Sequence, residues 1–152
     1  MSARPTMLIS ACLLGVQCRY DGNAQAIEGL DRLMERYTLI PICPEQLGGL
    51  PTPRTPSERR EGRVVTRDGR DVTAAFLHGA AQACRIAQLY GAKLALLKAR
   101  SPSCGFGEIY DGSFTGRRIP GNGVTAEALS AMGVEVYSEA DAARLAEGHD
   151  QN

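Results

Sequence analysis

Four short apolar runs set the limits on this fold: Met7-Leu8-Ile9-Ser10, Thr38-Leu39-Ile40-Pro41-Ile42, Leu94-Ala95-Leu96-Leu97 and Val134-Glu135-Val136-Tyr137. Each has the length of a buried strand and is too short for a helix. Helical periodicity fills the segments between them. Gln25 to Tyr37 places Ile27, Leu30, Leu33 and Met34 at steps of three and four. The longest helix begins near Asp71 or Thr73, either of which can cap it, and ends before Gly91. Its apolar stripe is Val72, Phe76, Ala80, Ala83, Ala87 and Tyr90. Thr125 to Met132 reads as a short helix stopped by Gly133, and Ser138 with Asp141 reads as a capping box for a last helix through about Ala146.

Strands that alternate with helices specify an α/β class, here a single-domain, Rossmann-like fold with a mostly parallel sheet. A small hairpin is expected over Arg63 to Val72, turning at Asp68-Gly69. Two stretches rich in Gly and Pro, Cys43 to Pro56 and Arg100 to Gly123, read as irregular. With 152 residues and 43% hydrophobic content, the chain is read as one domain over 1–152, its core spanning about 7–147. Gly148 to Asn152 is a polar end expected to fray.

Seventeen basic residues balance 17 acidic ones, which argues against general polyanion binding, and 5% aromatics with no Trp argue against a stacking platform for single strands. Stable nucleic-acid binding is therefore not expected. No stretch reaches the ~18 apolar residues of a membrane span. Met1 to Met7 is polar, with Arg4 and Pro5, and lacks the apolar segment of a secretory signal. The expected location is the cytoplasm, with no membrane partner.

Five cysteines then stand in a reducing compartment, where thiols serve as metal ligands, catalytic groups or core filler rather than as disulfides. Cys12 follows the first strand, Cys43 the second, and Cys104 lies in the loop after the third. In open α/β sheets, ligands bind outside the carboxyl ends of the strands. Three thiols distant in sequence thus converge on one rim. No Cys-x-x-Cys occurs, which excludes zinc ribbons and thioredoxin-like motifs. Three thiolates without a nearby His suit a soft metal; an iron–sulfur cluster usually takes four, so three leave one iron open. The competing reading makes them small core residues at loop ends, since free Cys is among the most buried types. Cys84 falls on the flank of the long helix, far from any strand end, and reads as filler. Cys18 shares the loop of Cys12 and reads as filler or as a supporting residue.

Glu45, two residues beyond Cys43, is a candidate general acid or base; its alternatives are capping a turn or pairing with an arginine. Ser101 has no His to activate it. His78 sits on a helix and His149 in the tail, so a Ser-His-Asp triad is implausible and Ser101 suits hydrogen bonding or a proton relay. Arg19, Arg54 and Arg117, with Ser103, are the candidate substrate-binding groups. No Walker-type or Gly-x-Gly-x-x-Gly pattern is present.

The order of short motifs adds a further constraint. Ser10-Ala11-Cys12-Leu13-Leu14-Gly15, Arg19-Tyr20-Asp21-Gly22, Cys43-Pro44-Glu45, Gly48-Gly49-Leu50-Pro51, Ser101-Pro102-Ser103-Cys104-Gly105, Ile109-Tyr110-Asp111-Gly112 and Gly121-Asn122-Gly123-Val124-Thr125 follow in sequence. This pattern resembles the bacterial thiouracil desulfurase (desulfidase) family across roughly residues 7–140. The resemblance implies a 4Fe–4S cofactor held by Cys12, Cys43 and Cys104, with the fourth iron lacking a protein ligand. It also implies removal of sulfur, as hydrogen sulfide, from a small thiolated pyrimidine, either a base or a nucleotide. Glu45 and Ser101 match the positions that assist the chemistry. A non-catalytic iron–sulfur or thiol redox sensor, and a nucleotide-binding module with structural cysteines, remain alternatives.

Overall fold

The computed structural model describes residues 4–147. Gly148 to Asn152, read as a fraying end, and His149 among them lie outside the described residues. Four parallel strands form the central sheet: β1 (Thr6–Ser10), β2 (Thr38–Ile42), β5 (Leu94–Leu97) and β8 (Glu135–Ser138), in the order β2-β1-β5-β8. Two antiparallel hairpins stand beside it, β3 (Ser57–Arg60) with β4 (Arg63–Thr66) and β6 (Glu108–Tyr110) with β7 (Arg118–Pro120).

The two-residue period of each parallel strand sorts its side chains into two cores. Leu8, Ala95 and Leu97 face α3 (Thr73–Tyr90) and α4 (Val124–Ala131), packing with Ala83, Ala87 and Leu129. Met7, Ile9 and Leu96 face the other side, where α1 (Leu30–Arg36) and α5 (Ala142–Ala146) contribute Leu33, Ala142 and Leu145. The result is the mostly parallel α/β fold with helices on both faces that the alternation of elements dictates.

The long helix runs as its periodicity requires. Phe76, Gly79, Ala80, Ala83 and Ala87 are buried, Asp71 Oδ1 accepts the Thr73 N–H at 2.9 Å, and Gly91 ends the helix at φ 63°. Tyr90 is 58% exposed and does not belong to the stripe. Gly79 permits a very close crossing: a Cβ there would lie 1.9 Å from the carbonyl oxygen of Pro44. That carbonyl begins α2 (Pro44–Leu47), a single turn in a stretch read from sequence as irregular. The capping box forms as expected, with Asp141 Oδ2 accepting the Ser138 N–H and Ser138 Oγ accepting that of Ala140.

Three further elements differ from the sequence expectation. The helix over Gln25 to Tyr37 is only α1, because Gln25 and Ile27 donate their N–H groups to the carbonyls of Cys12 and Leu13 at 2.9 and 3.0 Å. Gly29, at φ 78°, then turns the chain into the helix, and Met34 is 51% exposed. The hairpin expected to turn at Asp68-Gly69 instead pairs β4 with Ser57–Arg60 through the Glu61-Gly62 turn. Asp68-Gly69 makes a separate turn, and a lone bridge joins Val65 to Asp71. The glycine-rich segment from Arg100 to Gly123 contains the β6–β7 hairpin.

Candidate metal and substrate site

The chain passes from β1 to β2 on one side and returns to β5 on the other side of β1, so the strand order reverses between β1 and β5. A crevice forms at such a switch point, at the carboxyl ends of the strands. Ser10 and Lys98 mark it here: the Ser10 hydroxyl accepts the Lys98 backbone N–H at 2.9 Å. A cavity of about 380 Å³ opens over this rim, and Cys12, Cys18, Cys43 and Cys104 all line it. All four are free thiols. Cys84, the fifth, is half-buried on α3 against the α3–α4 core and takes no part.

Each thiol arrives by a different local device. A 3₁₀ turn (Ala11–Leu14) follows β1 directly, buries Cys12 and ends at Gly15, φ 98°. Cys43 is the residue between β2 and α2, and its Sγ lies 3.7 Å from the carbonyl oxygen of Cys18. Cys104 is set by Ser101, whose Oγ accepts the N–H groups of Ser103 and Cys104, both at 3.0 Å. Gly123 lets a second strand of loop press against that turn, because a Cβ there would stand 2.4 Å from the Ser103 carbonyl.

Burial works against the thiolate form at Cys12, Cys18 and Cys104. It pushes the Cys104 thiol up to about 12, against a hydrogen bond from Ser10 that favours the anion. Burial, followed by the neighbouring Cys43, pushes Cys18 up to about 12. Cys12 is also raised by burial, with Lys98 and Arg19 acting in the opposite direction. A soft cation bound by such thiols would displace their protons and neutralise the thiolate charge that burial disfavours.

Glu45 lines the cavity and pairs with Arg54, Oε1 to Nε at 2.8 Å, so the ion-pair alternative raised from sequence is present. Arg54 has only 7% of its side chain exposed. It donates from Nη2 to the Cys18 carbonyl at 3.0 Å and from Nη1 to Thr52 Oγ1 and the Pro51 carbonyl at 2.9 and 3.1 Å. Every nitrogen of this guanidinium therefore meets a protein acceptor, and the group fixes Glu45 and the Cys18 loop relative to each other.

The other sequence candidates separate into two groups. Ser101 and Arg19 are on the cavity wall, the latter 5.9 Å from the Tyr20 ring centroid and donating to Gln25 Oε1 at 3.2 Å. Ser103 and Arg117 are not on that wall. Ser103 is buried and its Oγ is 2.8 Å from Thr125 Oγ1, while Arg117 is 76% exposed and lies 3.8 Å from Asp111. Sequence reasoning passed over Ser10, Lys98, Glu58, Arg67 and Phe114, all on the wall. Lys98 was legible as the residue ending a buried strand; it pairs with Glu139 at 3.1 Å beside Cys12. Ser10 ends β1, whereas Glu58, Arg67 and Phe114 belong to or adjoin the two hairpins, whose pairing has no local signature.

This is an α/β protein with a thiol-rich ligand site at the switch point of its sheet. The family model for 2-thiouracil desulfurase matches residues 7–141. The chain belongs to that family. It is 41% identical to the uncharacterized protein YbbK of Bacillus subtilis (strain 168), over 88% of this chain and 95% of the relative. It is similar to the solved structure of the [4Fe-4S]-dependent thiouracil desulfidase TudS, with a TM-score of 0.89 and 44% identity over 95% of this chain and 97% of that one.

Proposed function

We propose that the chain is a 4Fe–4S-dependent thiouracil desulfurase, with Cys12, Cys43 and Cys104 as cluster ligands and Glu45 and Ser101 beside the substrate. The observation that carries this reading is the gathering of the three thiols and Glu45 around one cavity at the switch point. The donor set fits the group: all three thiols are free, Cys12 and Cys104 are buried and Cys43 is half-buried, and the cations Lys98 and Arg19 act on Cys12. Among the described residues, no three metal-ligating side chains are gathered to hold a single metal ion. Cys12, Cys43 and Cys104 would each bind a separate iron of such a cluster, so the three thiols need not converge on one point. Held by Cys12, Cys43 and Cys104, the cluster would supply a soft Lewis acid suited to a thiocarbonyl sulfur.

The remaining chemistry belongs to the chain's own groups. Net reaction replaces sulfur by the oxygen of one water and releases hydrogen sulfide, with no change of oxidation state. Glu45, held by Arg54, orients that water and accepts a proton from it. The Ser101 oxygen already accepts two amide N–H groups, so its hydroxyl proton is the part left to donate toward the leaving sulfur. Arg19 and Arg67 reach the cavity without the full set of protein acceptors that occupies Arg54, and they favour a phosphorylated nucleotide over the free base. A reducing cytoplasm keeps such thiols available for iron. No helix among the described residues is long and apolar enough to cross a membrane.

Anaerobically reconstituted protein is expected to convert 2-thiouracil to uracil with one sulfide per uracil, over many turnovers. A thiouridine monophosphate should react with the higher kcat/KM. Absence of uracil from both substrates, with the cluster loaded, would leave the site a sensor rather than a catalyst. Faster turnover of the base would reduce Arg19 and Arg67 to surface charges.

A further inference from the structure

One part of the cavity wall is built under strain. Between β6 and β7 the chain places Phe114, a residue with a bulky side chain, at φ 59°. Left-handed backbone is uncommon outside Gly, Asn and Asp, and such residues persist where their surroundings over-determine them. Here the surroundings do so. Glu58 Oε1 accepts the N–H groups of both Gly112 and Phe114, at 2.9 and 3.1 Å. Arg60 donates from Nε and Nη2 to the Gly112 carbonyl, at 3.0 and 2.6 Å. Two side chains of β3 thus hold the loop tip against the other hairpin, and Gly112 has no room for a Cβ, which would meet the Arg59 carbonyl at 2.8 Å.

The fixed element is an aromatic ring at the cavity. Phe114 lines it and is half-buried, and the Arg67 guanidinium carbon lies 5.7 Å from the ring centroid. Aromatics are scarce in this chain, with five Tyr, three Phe and no Trp, yet Tyr20, Tyr110 and Phe114 all line this one cavity. Phe offers a π-face and no hydrogen-bonding tip, so it recognises a flat ring without reading its edges. We propose that Phe114 is the specificity-determining residue that stacks on the planar heterocycle of the substrate, clamped in place by Glu58 and Arg60. This rests on the thiolated-pyrimidine reading above.

A merely apolar plug and a stacking platform respond differently to shape. Phe114→Leu keeps apolar volume and loses planarity, whereas Phe114→Trp keeps planarity. Both retain a Cβ at the same positive φ, so the backbone strain is common to the two. Equilibrium dialysis of uracil, which carries the same planar ring and is not consumed, against cluster-loaded protein reads binding directly, and sulfide release from 2-thiouracil by the wild type in the same preparations tests the functional reading separately. Phe114→Leu and Phe114→Ala are expected to weaken binding and raise KM by about 10–100-fold with kcat and iron content near wild type, the range of a lost base–aromatic stack. Phe114→Trp should remain within about threefold of wild type. Wild-type binding in Phe114→Leu would overturn the proposal, even where sulfide release proceeds normally. Weak binding in Phe114→Trp equal to that in Phe114→Leu would overturn it too.

Discussion

Cys43→Ser, prepared without oxygen and reconstituted with iron and sulfide, is expected to hold little iron, whereas Cys84→Ser is expected to match the wild type. Cys43 sits where β2 turns into α2, on the cavity wall beside Cys18. Serine at this position offers a hard, weakly acidic hydroxyl in place of a thiolate, which is a poor ligand for iron in a cluster. Cys84 faces the α3–α4 core, and its loss removes only a partly buried sulfur. Cys18→Ser is the instructive third variant. Cys18 lines the same cavity, but the proposed ligands are Cys12, Cys43 and Cys104, so this variant is expected to keep its iron. Iron per chain, measured on all three, checks the assignment. Equal loss in Cys43→Ser and Cys84→Ser would remove it, and loss in Cys18→Ser would make Cys18 a fourth ligand and close the open iron.

Glu45→Gln should keep the cluster and lose about 10²–10⁴-fold in the rate of sulfide release, the usual range for a general acid–base group. The amide retains the shape of the carboxylate and still accepts from Arg54, so the loop that carries Cys43 is preserved. What disappears is the ability to take a proton from water. Full activity with the cluster present would mean that iron alone does the chemistry. Iron loss would instead make Glu45 a structural or ligating residue. Ser101→Ala gives a different pattern, because it also strands two amide N–H groups that place Cys104. It should lower iron content as well as rate.

The contrast between these two residues shows what was legible in the sequence. Strand ends and the spacing of Cys12, Cys43 and Cys104 locate the rim, since parallel strands carry whatever follows them to one edge. The long helix and the capping box at Ser138 are likewise local, written in periodicity and in caps. Arg54 is the opposite case. Its residue type suggested an anion partner from outside, but that partner is Glu45, brought close by the turn of α2. The walls contributed by Glu58 and Phe114 depend on two hairpins packing together, and neither residue carries a local mark of that contact. Helix α1 is short for the same reason: the donors of Gln25 and Ile27 are taken by the loop after β1, which no periodicity in that segment reveals.

The most direct test of the central claim is the relation between cluster content and catalysis. Wild-type protein is prepared in a series of partial reconstitutions, and iron per chain and the initial rate of sulfide release from 2-thiouracil are measured on each sample. The account predicts a rate proportional to loaded cluster, rising to full activity at four irons per chain, the content of a 4Fe–4S centre. A rate independent of iron, or turnover by the iron-free chain, would contradict it.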